Sequence, residues 1–216
     1  KSLGYLNDGV VEGRPSFANT MKYLQMSLSS NFGNMFSMAG ASLFLPFLPM
    51  TAPQILFNNI LYDTSQFAIP TDNVDPDQLN QPRRMNIRSL KRYMWTFGVV
   101  SSVFDFITFG VLIFHTTAAE FQTGWFIESL LTQTLVVFVI RTRKLPIINS
   151  RPSGVLTASV LAVLTVAMAT IFSSVGRYFG FATPSLGIAI AVGLIVLAYL
   201  LVVEGVKHLF YRRVNL

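Results

Sequence analysis

Long apolar runs separated by short polar breaks dominate this chain, and each run is measured first against the thickness of a bilayer. A helix needs about 20 mostly apolar residues to cross the hydrocarbon layer. Residues 94–114, 125–140, 155–172 and 186–203 meet that requirement plainly, the third being short. Two further stretches are weaker. Residues 17–48 are long but interrupted by Ser, Asn and Gly, and residues 52–69 carry Asn58, Asn59, Asp63 and Gln66 near their middle. Between these two, PFLPMTAP places Pro46, Pro49 and Pro53 where a tight reversal is needed.

Composition sharpens the reading. Of 216 residues, 52% are hydrophobic and only 12% charged, about half the charge of a soluble domain, and the mean hydropathy is +0.53. The chain has no cysteine, which excludes a disulfide framework and a thiolate metal site. Residues 1–20 hold Asp8, Glu12 and Arg14 and no apolar core, so no cleavable signal peptide is expected. The Lys1-Ser2 opening suggests a piece of something longer.

Charge placement decides the number of spans, because Lys and Arg remain on the cytoplasmic side. Six spans put fifteen of the sixteen basic residues on one side, in the groups 1–22, 83–92, 141–151 and 207–213, and leave only Arg177 opposite. The predicted fold is therefore an all-α membrane protein of six transmembrane helices with both termini cytoplasmic. The net charge of +6 is then topogenic, and nucleic acid is not expected as a partner. The predicted organisation is a stalk start over 1–16, a hairpin over 17–69, a hydrophilic cytoplasmic loop over 70–92 and a four-helix bundle over 93–216. Phe121, Trp125, Tyr178, Phe179 and Phe181 are expected at the external interface as an aromatic belt.

Polar residues inside spans are costly and point to function. Asn31 and Asn34 are three apart and share a helix face; Asn59 and Asp63 are four apart and share another, with Gln66 a turn further on. Two antiparallel helices would point these carboxamides and one carboxylate at a common point, an all-oxygen site suited to a hard cation such as Mg²⁺ or Ca²⁺. The alternative is that the amides hydrogen-bond between helices as packing. Asp105 is either a structural hydrogen-bond centre or a second carboxylate behind the site, and Glu128 with Gln133 is equally open. Gly33, Gly40, Ala41 and Ser42 are expected to permit close helix approach.

The segment KYLQMSLSSNFGNMF…FLPFLPMTAPQILFNNILYDTSQFAIPTDNVD resembles the fifth and sixth transmembrane helices of P-type cation ATPases, most closely their magnesium-transporting bacterial branch. SSVFDFITFG, FQTGWFIESLLTQTLVVFVIRTRKLPII and the closing YRR resemble that branch's last four helices, so the likeness covers essentially the whole chain. The resemblance implies a path for transported Mg²⁺, with Asp63, Asn59, Asn31 and Asn34 as metal ligands and Asp105, Gln66 and Glu128 as candidates behind them. Tyr62 falls where related calcium pumps carry a threonine ligand, which favours magnesium. It further implies a translocase of the inner or plasma membrane that uses ATP through domains and N-terminal helices outside this chain. The chain contains no D-K-T-G-T phosphorylation sequence and no T-G-E loop, so alone it is not expected to be catalytic. The alternative is a free-standing, non-catalytic six-helix protein. LNDGV, at 6–10, has the letters of the pumps' G-D-G-x-N-D hinge in the wrong order, and the resemblance puts that hinge upstream. Pro15 either kinks the stalk or opens its helix as a first-turn residue.

Overall fold

The computed structural model describes residues 3–79, 84–146 and 148–213, with side chains described over 8–212 of these; Lys1, Arg83 and the Arg213 side chain lie outside them. The described residues are helical, with no strand. In chain order they form α1 (Leu3–Phe44), α2 (Ala52–Gln66), a 3-10 turn (Ile69–Thr71), α3 (Pro76–Leu79), α4 (Ile87–Ile113), α5 (Ala118–Ile140), α6 (Gly154–Ile171), α7 (Ser174–Tyr178) and α8 (Leu186–Arg213).

Among the described residues four helices are long and apolar enough to cross a membrane: α4, α5, α6 and α8. They match the four runs that the sequence marks plainly, with Phe114 and Phe172 falling on the C-caps of α4 and α6. The two weaker stretches are helical too. α2 has only 15 residues, roughly 22 Å at 1.5 Å per residue, and α1 is long but carries the Ser, Asn and Gly interruptions. α4 begins at Ile87, inside the predicted loop, because Asn86 caps it by accepting from the Arg88 and Ser89 amides at 3.0 and 3.3 Å.

Bonds between the connections fix how these helices run. At one end, Gln122 Nε2 donates to the Leu48 carbonyl (2.9 Å), Gln54 Nε2 to that of Phe179 (3.0 Å), and the Ala182 amide to Thr123 Oγ1 (2.9 Å). At the other, Lys22, Asp72, Arg141 and Ser150 converge, and Lys207 Nζ donates to the Val139 and Lys144 carbonyls at 3.0 and 2.9 Å. α1, α2, α4, α5, α6 and α8 thus alternate in direction between two ends. α1 packs along α4, α8 against α5 and α4, and α2 against α6 and α5. α5 is the central helix. α1 and α2, although consecutive, rest mainly on these other helices.

α1 runs without a break through Pro15. Pro15 therefore does not open the helix; it lies twelve residues inside, where its missing N–H forfeits one backbone bond. LNDGV belongs to the same helix, with Asp8 exposed.

The predicted aromatic belt is largely absent. Phe121, Trp125 and Phe181 are buried, and Phe121 and Trp125 stack or cross Phe109 at centroid distances of 5.5 and 4.9 Å. Only Tyr178, 89% exposed, keeps a position suited to an interface. Aromatic rings bury large apolar area, and here the short α7 turns Phe179 and Phe181 back onto Phe57 and Phe126.

The α1–α4 crossing depends on two glycines. A Cβ on Gly98 would lie 2.6 Å from Phe32 Cδ1 and 3.1 Å from the Ser29 carbonyl, and one on Gly33 would lie 3.2 Å from the Gly98 carbonyl. Ser102 Oγ donates to the Gly33 carbonyl at 3.1 Å across this contact. Gly98→Ala is expected to cost about 1–3 kcal/mol by overpacking, read as a lowered Tm in detergent. Gly110→Ala, on the same helix with nothing within 4 Å, is the matched control and should leave Tm unchanged or raise it.

Candidate functional site

The predicted ligands divide into two groups. Asn31, Asn59 and Asp63 are exposed on their helices, and Asn31 Nδ2 donates only a long bond to Ser27 Oγ, 3.4 Å. Asn34 is half-buried and turned inward. Its Nδ2 donates to Gln133 Oε1 at 3.0 Å, Gln133 Nε2 donates to Asn58 Oδ1, Asn58 Nδ2 donates to Ser129 Oγ at 3.4 Å, and Ser129 Oγ donates to Asn34 Oδ1 at 3.4 Å. This is a closed ring of four side chains from α1, α2 and α5.

The ring satisfies the amides of Asn34, Asn58 and Gln133 without water or ion, which is what buried amides require. It also ties α1 to α2 through α5. Asn58 and Ser129 were not singled out as ligands, because the sequence shows two adjacent asparagines and cannot say which one faces inward. The helix places Asn58 inward, 3% exposed, and turns Asn59 out with Asp63.

Tyr62, 1% exposed, sits close to Ser30 of α1 and Gln66 of its own helix. Gln66 is buried and keeps Oε1 without a partner. Asp105 and Glu128 are also buried, deeper along α4 and α5. Asp105 accepts from Ser37 Oγ at 2.6 Å and from Trp125 Nε1 at 2.8 Å, so it is a hydrogen-bond centre joining α1, α4 and α5. Among the described residues no three His, Asp or Glu side chains gather as a metal cluster.

A second polar assembly lies at the basic end, where the sequence suggests only a solvated loop. Asp72 Oδ2 accepts from Lys22 Nζ (2.8 Å) and Arg141 Nε (2.7 Å), while Oδ1 accepts from the Ser153 amide at 3.1 Å. The Asp72 side chain is fully buried and that of Arg141 is 1% exposed. Arg141 spends its remaining donors on the carbonyls of Asn73, Ser150 and Arg151 and on Ser150 Oγ. Arg14 and Asn19 of α1 hold the carbonyls of Leu79, Pro70 and Asp72 at 2.9–3.0 Å. The first half of the predicted loop is thereby fastened to α1 and to the α5–α6 connection. Lys22 and Arg141, which the sequence places among topogenic surface charges, are buried here because a carboxylate and carbonyls surround them.

Residues 47–209 match the family described as cation transporting ATPase, C-terminus. The magnesium-transporting ATPase, P-type 1, of Salmonella typhimurium strain LT2 is 46% identical over 224 residues, which cover 99% of this chain and 24% of that protein. The protein of the same description from Escherichia coli K12 is 44% identical over 219 residues, again 99% of this chain and 24% of the relative. A further Salmonella typhimurium LT2 protein of that description is 39% identical with the same coverage. The chain spans about a quarter of the length of these relatives.

Proposed function

Because this chain belongs to the family of cation transporting ATPase C-termini, we propose that it forms the C-terminal membrane part of a P-type ATPase that transports Mg²⁺. In this reading α1 and α2 cross the membrane with the four apolar helices, giving six spans and cytoplasmic termini in an inner or plasma membrane. The basic end is cytoplasmic, and α1 up to residue 16 is the start of a cytoplasmic stalk. ATP is hydrolysed by domains outside this chain, and their motion reaches the path through the stalk.

The observation that carries the reading is the exposure of Asn31, Asn59 and Asp63 on otherwise apolar helix faces. Met35, Phe36, Leu56, Ile60 and Phe67 are exposed on the same two helices. An ionised Asp facing lipid at mid-membrane costs about 3 kcal/mol, so this face needs cover. The N-terminal helices of the pump supply it, and the cation passes between them and α1–α2. Asp63 is the anionic ligand, and Asn31 and Asn59 are neutral oxygen donors. Asn34 joins them by leaving its hydrogen bond from Ser129. One carboxylate with several neutral oxygens suits Mg²⁺, which keeps part of its water shell and takes only one or two carboxylates.

Mg²⁺ uptake by vesicles containing the full-length pump tests this. Asn59→Ala removes one neutral ligand, worth on the order of 1–3 kcal/mol, so the Mg²⁺ concentration for half-maximal uptake should rise about 5- to 150-fold. An unchanged concentration dependence in both Asn59→Ala and Asn31→Ala would place the path elsewhere.

A further inference from the structure

Asp105 of α4 and Glu128 of α5 are 2% and 1% exposed, and their carboxyls lie within hydrogen-bonding reach of one another. None of the ion pairs among the described residues involves either group. Among the described residues Ser37 from α1, Trp125 from α5 and Tyr199 from α8 interact with them; none of these is a cation. Two carboxylates in contact, away from water and without a counter-charge, cannot both be ionised. One proton must reside on the pair.

The hydrogen bonds say which carboxyl holds it. Asp105 accepts from Ser37 on one oxygen and from Trp125 on the other, the surroundings of an ionised carboxylate. Glu128 receives no comparable donors, and its Oε2 is buried with no partner at all. A bare carbonyl oxygen of a neutral acid costs far less in such a place than a bare carboxylate oxygen.

The pair also adjoins the amide ring. Ser37 lies one turn from Asn34 on α1, and Glu128 precedes Ser129 on α5. We propose that Asp105 and Glu128 form a proton-binding site in the membrane interior, in which neutral Glu128 donates to the Asp105 carboxylate, and that this proton leaves when a divalent cation occupies the path. Departure converts the Glu128 acid to a carboxylate and delivers one H⁺ to water. The pair changes from one negative charge to two, and the charge of a dication in the path offsets the increase. The coupling rests on the cation-path reading; the proton site itself does not.

Infrared spectra of the purified full-length pump test both parts, with Mg²⁺ alone as the added ion. Without Mg²⁺, a carboxylic-acid C=O band should appear that shifts in D₂O and on labelling glutamate carboxyl carbons with ¹³C. The labelling assigns the band to glutamate without any substitution. Glu128→Gln should remove it, and Mg²⁺ should remove it from the native pump. A glutamate acid band that is missing, that survives Glu128→Gln, or that ignores Mg²⁺ in the native pump overturns the proposal. Asp63→Asn separates the two readings. In that variant the band should persist with Mg²⁺ present; if Mg²⁺ still removes it, the proton site stands and the assignment of Asp63 to the path fails.

Discussion

Asp63→Asn is expected to abolish Mg²⁺ transport by the full-length pump while leaving the protein folded. Asp63 is exposed on α2, one turn from Asn59 on the same face, so an amide of equal size disturbs no packing. What disappears is the only carboxylate among the four proposed ligands. Removing the charged partner of an ion in a water-poor site costs about 3–5 kcal/mol, roughly 10²- to 10³-fold in affinity. The readout should be Mg²⁺ uptake into vesicles, because the nucleotide also needs Mg²⁺ and hydrolysis alone would mix two requirements. Asp63→Glu keeps the charge on a longer arm and should retain part of the uptake. Uptake by Asp63→Asn equal to that of the native pump would remove Asp63 from the path.

The second large effect concerns stability. Asp72→Ala leaves the Lys22 ammonium and the Arg141 guanidinium buried without their carboxylate. Breaking a buried pair in this way costs about 3–5 kcal/mol, and here one carboxylate serves two cations. A large fall in Tm of the full-length pump in detergent is expected. The nearby Lys144–Asp77 pair is the internal control: it spans 3.0 Å, but its side chains are 36% and 70% exposed, and exposed pairs contribute about 0–1 kcal/mol. Asp77→Asn should therefore leave Tm almost unmoved. Equal effects of the two substitutions would mean that the Asp72 cluster does not hold this end together.

Acid should loosen the same cluster. Burial alone would raise the Asp75 carboxyl, but hydrogen bonds from Ser150 (2.6 Å) and Thr142 (2.5 Å), with Arg141 and Lys144 nearby, outweigh it and hold the group below the usual carboxylate range. A depressed carboxyl stabilises the fold above its ordinary value of about 4, and that contribution is lost as pH falls through the folded-state value. Asp75→Asn should accordingly flatten the acid limb of the stability profile.

The sequence alone determined the helical class, the four strong spans and the family, because these rest on local signals. Run length and hydropathy need no partner to be read, and SSNFGN with NNILYD is specific as a string. It also marked the proline-rich reversal and the small residues of α1, two of which meet Ser101, Gly98 and Phe106 of α4. Facing was beyond it. Asn58 and Asn59 are identical neighbours, and only the packing of α2 on α5 and α6 turned one into the amide ring and the other outward. Helical spacing put Asn31 and Asn34 on a common face, yet α5 engages Asn34 and Asn31 stays exposed. Trp125 reads as an interface aromatic until Asp105, twenty residues earlier, supplies an acceptor for its indole N–H. Lys22, Asp72 and Arg141 are separated by 50 and 69 residues, and each alone looks like a solvated loop or end charge. Their burial becomes tolerable only when tertiary structure brings opposite charges and backbone carbonyls together, which no local pattern encodes.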